Sequence, residues 1–263
     1  MPFISVEGLK DFQLCERLYD YRHIEKMPEK IYSRDIYTEK FENTIKNIIF
    51  FFFYKKQSGV IPSYASLLNR WEKMWFPKNT TSYDIITEQH ESVYGNVASL
   101  TSKAAAALLV FYENYSNSNF IPMAISEEYI VPSGKAYNIE DKFDLILYKD
   151  KTYYVTKILF NYRQTNKSQY VIDFCSMQAA YNNMNPPKMS QTRFGYIDMM
   201  SPNIQFNDFP INANDINSFN YWLEKLQGTK KFVPKRGLIP YCKKCPYDKP
   251  CSEWNGWDNE VTK

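Results

Sequence analysis

The sequence predicts an α/β (α+β) protein in which helices flank a small mixed sheet, and three observations carry that expectation. Residues 5–115 repeat apolar side chains at helical intervals, residues 123–160 hold three strand-like runs, and residues 171–227 return to helix, strand and helix. In the first helix Val6, Leu9, Phe12, Leu14 and Leu18 fall at helical spacing behind Ser5 as N-cap, which places Cys15 on a helix. Ile45, Ile48, Ile49 and Phe52 predict a second helix over 34–56, stopped by Gly59 and Pro62, and a third covers 63–75. A long helix is expected over 87–115, where the alanines 104–107 with Leu108 and Leu109 are strong helix formers and no proline intervenes.

The runs 123–131, 137–149 and 152–160 are rich in Ile, Val and Tyr and are separated by the turn-like PSGK and KDK, so they read as consecutive antiparallel strands. A helix over 171–184 ends at Asn185, Pro186 and Pro187, a strand follows at 193–199, and a helix at 215–227 leads into a basic loop and three cysteines. The chain thus divides into a helical region (1–120), a core of sheet and helix (121–210), and a C-terminal helix with a cysteine clasp (211–263), together one integrated domain.

A chain of 263 residues, 44% hydrophobic and 17% aromatic, can bury a sizeable core. Its net charge of +3 gives no general affinity for nucleic acid without local clustering. Lys230, Lys231, Lys235 and Arg236 form such a cluster, which reads as a solvated loop. No charged and then apolar leader opens the sequence, and the longest apolar run, 48–54, is far short of the ~20 residues of a membrane span. A soluble, cytoplasmic protein with no membrane partner is expected, and the Lys, Asn, Ile and Tyr content suits an AT-rich genome such as that of a phage.

Five cysteines do not make an even set of disulfides. Cys175, in the apolar stretch DFCSMQAAY, reads as a buried small hydrophobe. Cys242, Cys245 and Cys251 lie in YCKKCPYDKPC and Cys15 in QLCERLY; four thiolates complete a coordination shell, and a shared metal would staple these distant segments together. On spacing alone structural Zn2+ is the better match.

Alternation on the second strand puts Glu140, Lys142 and Asp144 on one face and Asp141 and Phe143 on the other. A carboxylate between Phe143 and Leu145 requires a metal, a cation or water, and Lys157 among Val155, Ile158 and Leu159 raises the same requirement. Of Glu127 and Glu128 on the first strand, only one can point to the same face. Acid, acid and lysine on neighbouring strands point to a divalent-metal phosphodiesterase site, with salt bridges at a strand edge as the alternative.

This order of parts resembles the PD-(D/E)XK nuclease superfamily, in its RecB-like branch that includes the CRISPR-associated adaptation exonucleases and the nuclease domain of AddB. The resemblance covers nearly the whole chain. It implies a restriction-endonuclease-like core and a four-iron four-sulfur cluster held by Cys15, Cys242, Cys245 and Cys251, with Zn2+ as the alternative. It also implies Mg2+ or Mn2+ on Glu128 and Asp144, Lys157 as the catalytic lysine, Glu42 at the family's helix position and Tyr181 in its Q-x3-Y helix. The implied partner is DNA, as single-stranded or tailed ends, processed by an exonuclease in recombination, repair or spacer acquisition, and within a protein complex.

The chain departs from the family where the acidic residue of (D/E)-x-K should stand, at Val155, and where Met177 takes the glutamine position with Gln178 one place out of register. Losing a carboxylate ligand costs on the order of a thousandfold in rate or more, unless Glu140 or Asp141 reaches the same metal. The expected function is therefore a DNA nuclease with an incomplete active site. A catalytically inactive nuclease fold that binds DNA or scaffolds a complex is the first alternative, and a zinc-stapled interaction domain the second. His23 and His90 read as packing or surface residues, and Trp254 and Trp257 as cover for the clasp.

Overall fold

The computed structural model describes residues 3–29, 33–76, 91–132, 138–162, 164–184, 190–235, 241–242, 245–247 and 250–251. In chain order these form β1 (Phe3–Ser5), α1 (Val6–Leu14), α2 (Glu16–Tyr19), a π-helical turn (Asp20–Ile24), α3 (Ser33–Gln57) and α4 (Tyr64–Trp75). Then come a hairpin of β2 (Glu91–Ser92) and β3 (Gly95–Asn96), α5 (Val97–Tyr115), β4 (Ile121–Pro132), β5 (Asn138–Lys149) and β6 (Thr152–Leu159). After a 3-10 turn (Gln164–Gln169) follow α6 (Val171–Asn183), β7 (Gln191–Asp198), β8 (Phe206–Asp208) and α7 (Ala213–Gly228).

The chain forms two compact units: Met1–Ile31, Pro132–Glu140 and Asn212–Lys263 make a clasp unit, and Tyr32–Val131 and Asp141–Ile211 make a sheet unit. In the sheet unit β4 and β6 both pair with β5, and β7 and β8 follow β6. β5 and β6 are antiparallel, from Leu145↔Thr156 to Lys149↔Thr152, across a two-residue turn in which Asp150 (φ 49°) and Lys151 (φ 60°) both take the left-handed conformation. β6 and β7 run parallel, from Thr152↔Gln191 to Leu159↔Asp198, which requires the crossover that α6 supplies.

One face of this sheet lies under α3, α4 and α5. Ile45, Ile48, Phe52, Trp71 and Phe111 from these helices pack with Leu145, Leu147, Ile158 and Ile197 in a continuous buried core. The opposite face, which carries Tyr153, Val155 and Lys157, lies toward α6, whose Tyr181 ring is 6.2 Å from Tyr153. Helices flanking a mixed sheet are the α/β architecture expected. Among the described residues no helix is long and apolar enough to cross a membrane.

In the clasp unit β1 pairs in parallel with residues 138–140 of β5. The Ser5 hydroxyl caps α1 by accepting the Gly8 N–H at 2.9 Å. Phe12 of α1 packs edge-on against Trp222 of α7 and against Phe232, both at 6.2 Å.

Two expectations are corrected. Cys15 is not on a helix: it is extended (φ −160°, ψ 120°) between α1 and α2, where its N–H bonds Asp11 O at 2.8 Å. The long helix begins at Val97 rather than at 87, because Gly95 (φ 113°) turns the chain and Ser92 Oγ ties the hairpin by accepting Tyr94 N–H and donating to Gly95 O. Residues 87–90 lie outside the described residues.

β8 can pair beside Gly195 only because that residue has no side chain. A Cβ there would stand 2.0 Å from Asn207 O and 2.9 Å from Asn207 C, both backbone atoms. Gly195→Ala is expected to lower stability by about 3 kcal/mol, read as a reduced urea midpoint with an unchanged slope.

Candidate active site

Lys157 on β6 is 8% exposed, so its charge must be met inside the protein. Its Nζ donates to Asp141 Oδ2 at 2.6 Å and to Lys142 O at 3.0 Å. Burial works against the ammonium, yet the carboxylates of Asp144, Asp141 and Asp173 outweigh it and raise the lysine above its ordinary value. The side chain is therefore a fixed cation at neutral pH.

Asp144 is 2% exposed and accepts the Ile158 N–H at 2.7 Å. The ladder between β5 and β6 starts at Leu145↔Thr156, so this carboxylate takes a backbone donor just beyond it. Lys46 Nζ on α3 lies 3.5 Å from the same Oδ2. One helical turn before Lys46, Glu42 accepts a hydrogen bond from the Tyr94 hydroxyl of the β2–β3 turn. Burial holds the Glu42 carboxyl above its usual range, against the lowering effect of Tyr94 and Lys46.

Strict alternation would part Asp141 from Asp144. In the structure the two carboxylates flank consecutive residues of β6, Asp141 through Lys157 Nζ and Asp144 through Ile158 N. Asp141 is placed from β4, where the Tyr129 hydroxyl lies 3.2 Å from both Asp141 Oδ2 and Ser176 Oγ. Burial and the neighbouring Asp141 push the Tyr129 phenol up, so it stays a donor.

Glu127 and Glu128 are both exposed, because Ser126 adopts φ 51° and shifts the phase of β4, so Tyr129 becomes the inward residue after the break. Glu128, the metal ligand that the resemblance implies, therefore stands at the surface of β4. Val155, at the position of the missing acid, is fully buried opposite Ile146 and Phe194. Tyr181 packs on Tyr153 and Phe194 near the start of β6 rather than beside Lys157, and Met177 is fully buried while Gln178 is only partly so. Lys46, Tyr94 and Tyr129 had no sequence signal of their own, since their roles depend on tertiary placement.

Within the clasp unit the four terminal cysteines share one neighbourhood. The Lys235 N–H donates to Cys15 Sγ and the Cys242 thiol to Lys235 O, each at 3.5 Å. Burial pushes the Cys245 thiol up, and Cys251, Cys15 and Cys242 add to that shift. Leu18, Tyr21 and the buried Tyr247 pack around them, and the Tyr247 hydroxyl donates to Met27 O at 3.3 Å. All five cysteines are thiols, Cys175 being buried in α6. Among the described residues no three His, Cys, Asp or Glu side chains stand as a group that could hold a metal ion.

Elsewhere in this unit, His23 Nε2 lies 2.8 Å from Asp11 Oδ2 and its ring stacks on Tyr19. Lys230 and Lys231 are exposed, whereas Lys235 is drawn in to donate to Gln13 O at 2.9 Å. His90, Arg236, Trp254 and Trp257 lie outside the described residues.

Because Lys157 neutralises buried carboxylates, Lys157→Met is expected to cost about 3 kcal/mol of stability, with part of it recovered in Lys157→Met/Asp141→Asn. A cation whose folded pKa is raised stabilises fully below its unfolded value of 10.5 and loses that contribution as pH passes the folded value. The gap between wild type and Lys157→Met, measured by urea unfolding, should stay constant from pH 7 to about 10 and then shrink.

No family model matches the chain, and no curated protein matches it. Solved structures that resemble it include a protein described as a candidate exonuclease from Eubacterium rectale, 12% identical with a TM-score of 0.48 over 92% of this chain and 87% of that one. Another is SSO0001, 14% identical with a TM-score of 0.33 over 94% of this chain and 84% of that one.

Proposed function

We propose that this chain is a DNA nuclease of the PD-(D/E)XK type, acting on single-stranded or tailed ends. The observation that carries the reading is a buried lysine on β6 that bonds Asp141 of the neighbouring strand and lies within electrostatic reach of Asp144. Val155 removes the usual acid, and Asp141 stands beside the lysine as the relocated carboxylate. Mg2+ commonly uses only one or two protein carboxylates and keeps its remaining waters, so Asp144 and Asp141 would serve as its protein donors. A divalent cation bound there would polarise the scissile phosphate and acidify a bound water. The Lys157 ammonium, kept charged by its carboxylates, can meet the charge that develops on the phosphate oxygens. Tyr129 holds Asp141, and Lys46 balances Asp144 until metal and substrate arrive.

Mn2+-dependent degradation of single-stranded or tailed DNA is expected, falling at least a hundredfold in Asp144→Ala and Lys157→Ala. No cleavage by cofactor-loaded protein under any divalent metal would remove this reading. A second reading, a non-catalytic DNA-binding or scaffolding descendant, draws on the full burial of Val155. It is distinguished by DNA binding without cleavage and by gain of activity in Val155→Glu.

Four thiolates are by their chemistry a complete ligand set, and Cys15, Cys242, Cys245 and Cys251 would hold a four-iron four-sulfur cluster. Anaerobic purification should give a brown protein with iron and sulfide near four per chain. Stoichiometric zinc without iron would identify a structural zinc clasp instead.

A further inference from the structure

Close to the acid and lysine network, the sheet unit carries a group of half-buried tyrosines to which the reaction gives no role. Tyr162 follows the end of β6, Tyr196 lies on β7, and Tyr170 is the N-cap of α6. The Tyr162 ring is 4.2 Å from Tyr196, 5.6 Å from Tyr170 and 6.2 Å from Phe209. None of the three tyrosines is fully buried.

The position of Tyr162 is built rather than incidental. Asp198, the last residue of β7 and 6% exposed, accepts the N–H groups of Asn161 and Tyr162, each at 2.8 Å, and that of Met200 at 2.9 Å. Asn161 takes φ 58° to bring the chain round. A buried carboxylate thus fixes the loop that presents the ring. Parallel strands β6 and β7 both end here, and open α/β sheets bind ligands outside the carboxyl ends of their strands.

The group also borders the proposed reaction site. Tyr170 lies within electrostatic reach of Asp173 and Glu42, and Asp173 in turn acts on Lys157. Burial pushes Tyr170 and Tyr196 up to about 12, with Asp173, Glu42 and Asp198 adding to it at Tyr170, and Tyr162 and Asp198 at Tyr196, so the rings stay neutral and do not repel a phosphate backbone. Lys167 Nζ, 5.3 Å from the Phe209 ring centre, adds a cation at the margin.

We propose that Tyr162, Tyr170 and Tyr196 form a stacking surface for unpaired bases of a DNA end entering the Asp144–Lys157 site, and that they set its preference for single strands over blunt duplex. The proposal rests on the DNA reading given above. Aromatic stacking suits this task because every base has a π-face while paired bases in a duplex are already stacked.

The test measures binding of fluorescein-labelled oligo(dT) and of a blunt duplex by anisotropy, in EDTA at fixed salt, with the full chain as purified. Wild type, Tyr162→Leu, Tyr162→Phe and Asp198→Asn are compared, with thermal midpoints recorded for each. Tyr162→Leu is expected to weaken oligo(dT) binding about tenfold and to leave duplex binding unchanged. Tyr162→Phe, which keeps the π-face, should stay within about twofold of wild type. Asp198→Asn should loosen the ring's support and lie between them. Equal binding by Tyr162→Leu and wild type would overturn the proposal, as would a parallel loss of single-strand and duplex binding that tracks a fall in thermal midpoint. Wild-type protein that binds neither DNA removes the DNA reading itself, and this surface with it. Binding of both forms without preference removes the stacking surface alone.

Discussion

A single ammonium group inside a sheet governs how the rest of the sheet unit is arranged. Lys157 cannot be buried alone, so Asp141, Asp144 and Asp173 face it, and each of these acids creates a demand of its own. Tyr129 answers for Asp141; Lys46 and the Ile158 N–H answer for Asp144. Lys46 also supports Glu42, which Tyr94 holds from the other side. One cation therefore constrains side chains on β4, β5, α3, α6 and the β2–β3 turn. Such networks fail as units, because removing one member leaves its partner charged or unpaired in a low dielectric. The same balance makes sense of Val155. With three carboxylates already acting on one lysine, a fourth on the same strand face would add like charge, whereas valine extends the apolar packing against Ile146 and Phe194.

The clasp unit solves a different problem, since its thiols are weak hydrogen-bonding groups that cannot hold a tail by themselves. Its docking draws on ordinary contacts as well. Lys225 pairs with Glu16 at 2.7 Å, Lys235 donates to a carbonyl of α1, and Tyr247 is buried against Tyr21 with ring centres 5.3 Å apart. The cysteines thus assemble on a surface that other forces already bring together. A metal bound there would tighten a fold rather than create one, in contrast to small zinc domains that have no core without their ion.

Much of the fold was legible because local chemistry and tertiary packing agree. The helices α3, α4, α6 and α7 lie close to the periodic stretches that predict them, and Ser5 and Ser63 cap helices in the way that serine before an apolar run suggests. The pairing of an acidic strand with a lysine strand was also readable, from charged residues set among Val, Ile and Leu. What escaped depends on single backbone angles. Ser126, Gly95 and Cys15 each redirect the chain, and nothing in alternation or helix propensity reports a residue that leaves its regular conformation. Through Ser126 two glutamates turn outward and a tyrosine turns in, which is why the β4 partner of Asp141 is a phenol and not a carboxylate.

The clasp unit is assembled from three separate stretches of sequence: Met1–Ile31, Pro132–Glu140 and Asn212–Lys263. This has a temporal consequence during synthesis. The aromatic face of α1 emerges from the ribosome long before Trp222, Phe232 and Tyr247, the residues that cover it and its neighbours, and at ordinary elongation rates of about 5–20 residues per second the wait lasts on the order of ten seconds or more. Residues 32–131 and 141–211 have most of their contacts available earlier. Helix α1 is therefore made before the sheet unit yet completes its packing after it, and for that interval its apolar face is open to other chains and to chaperones.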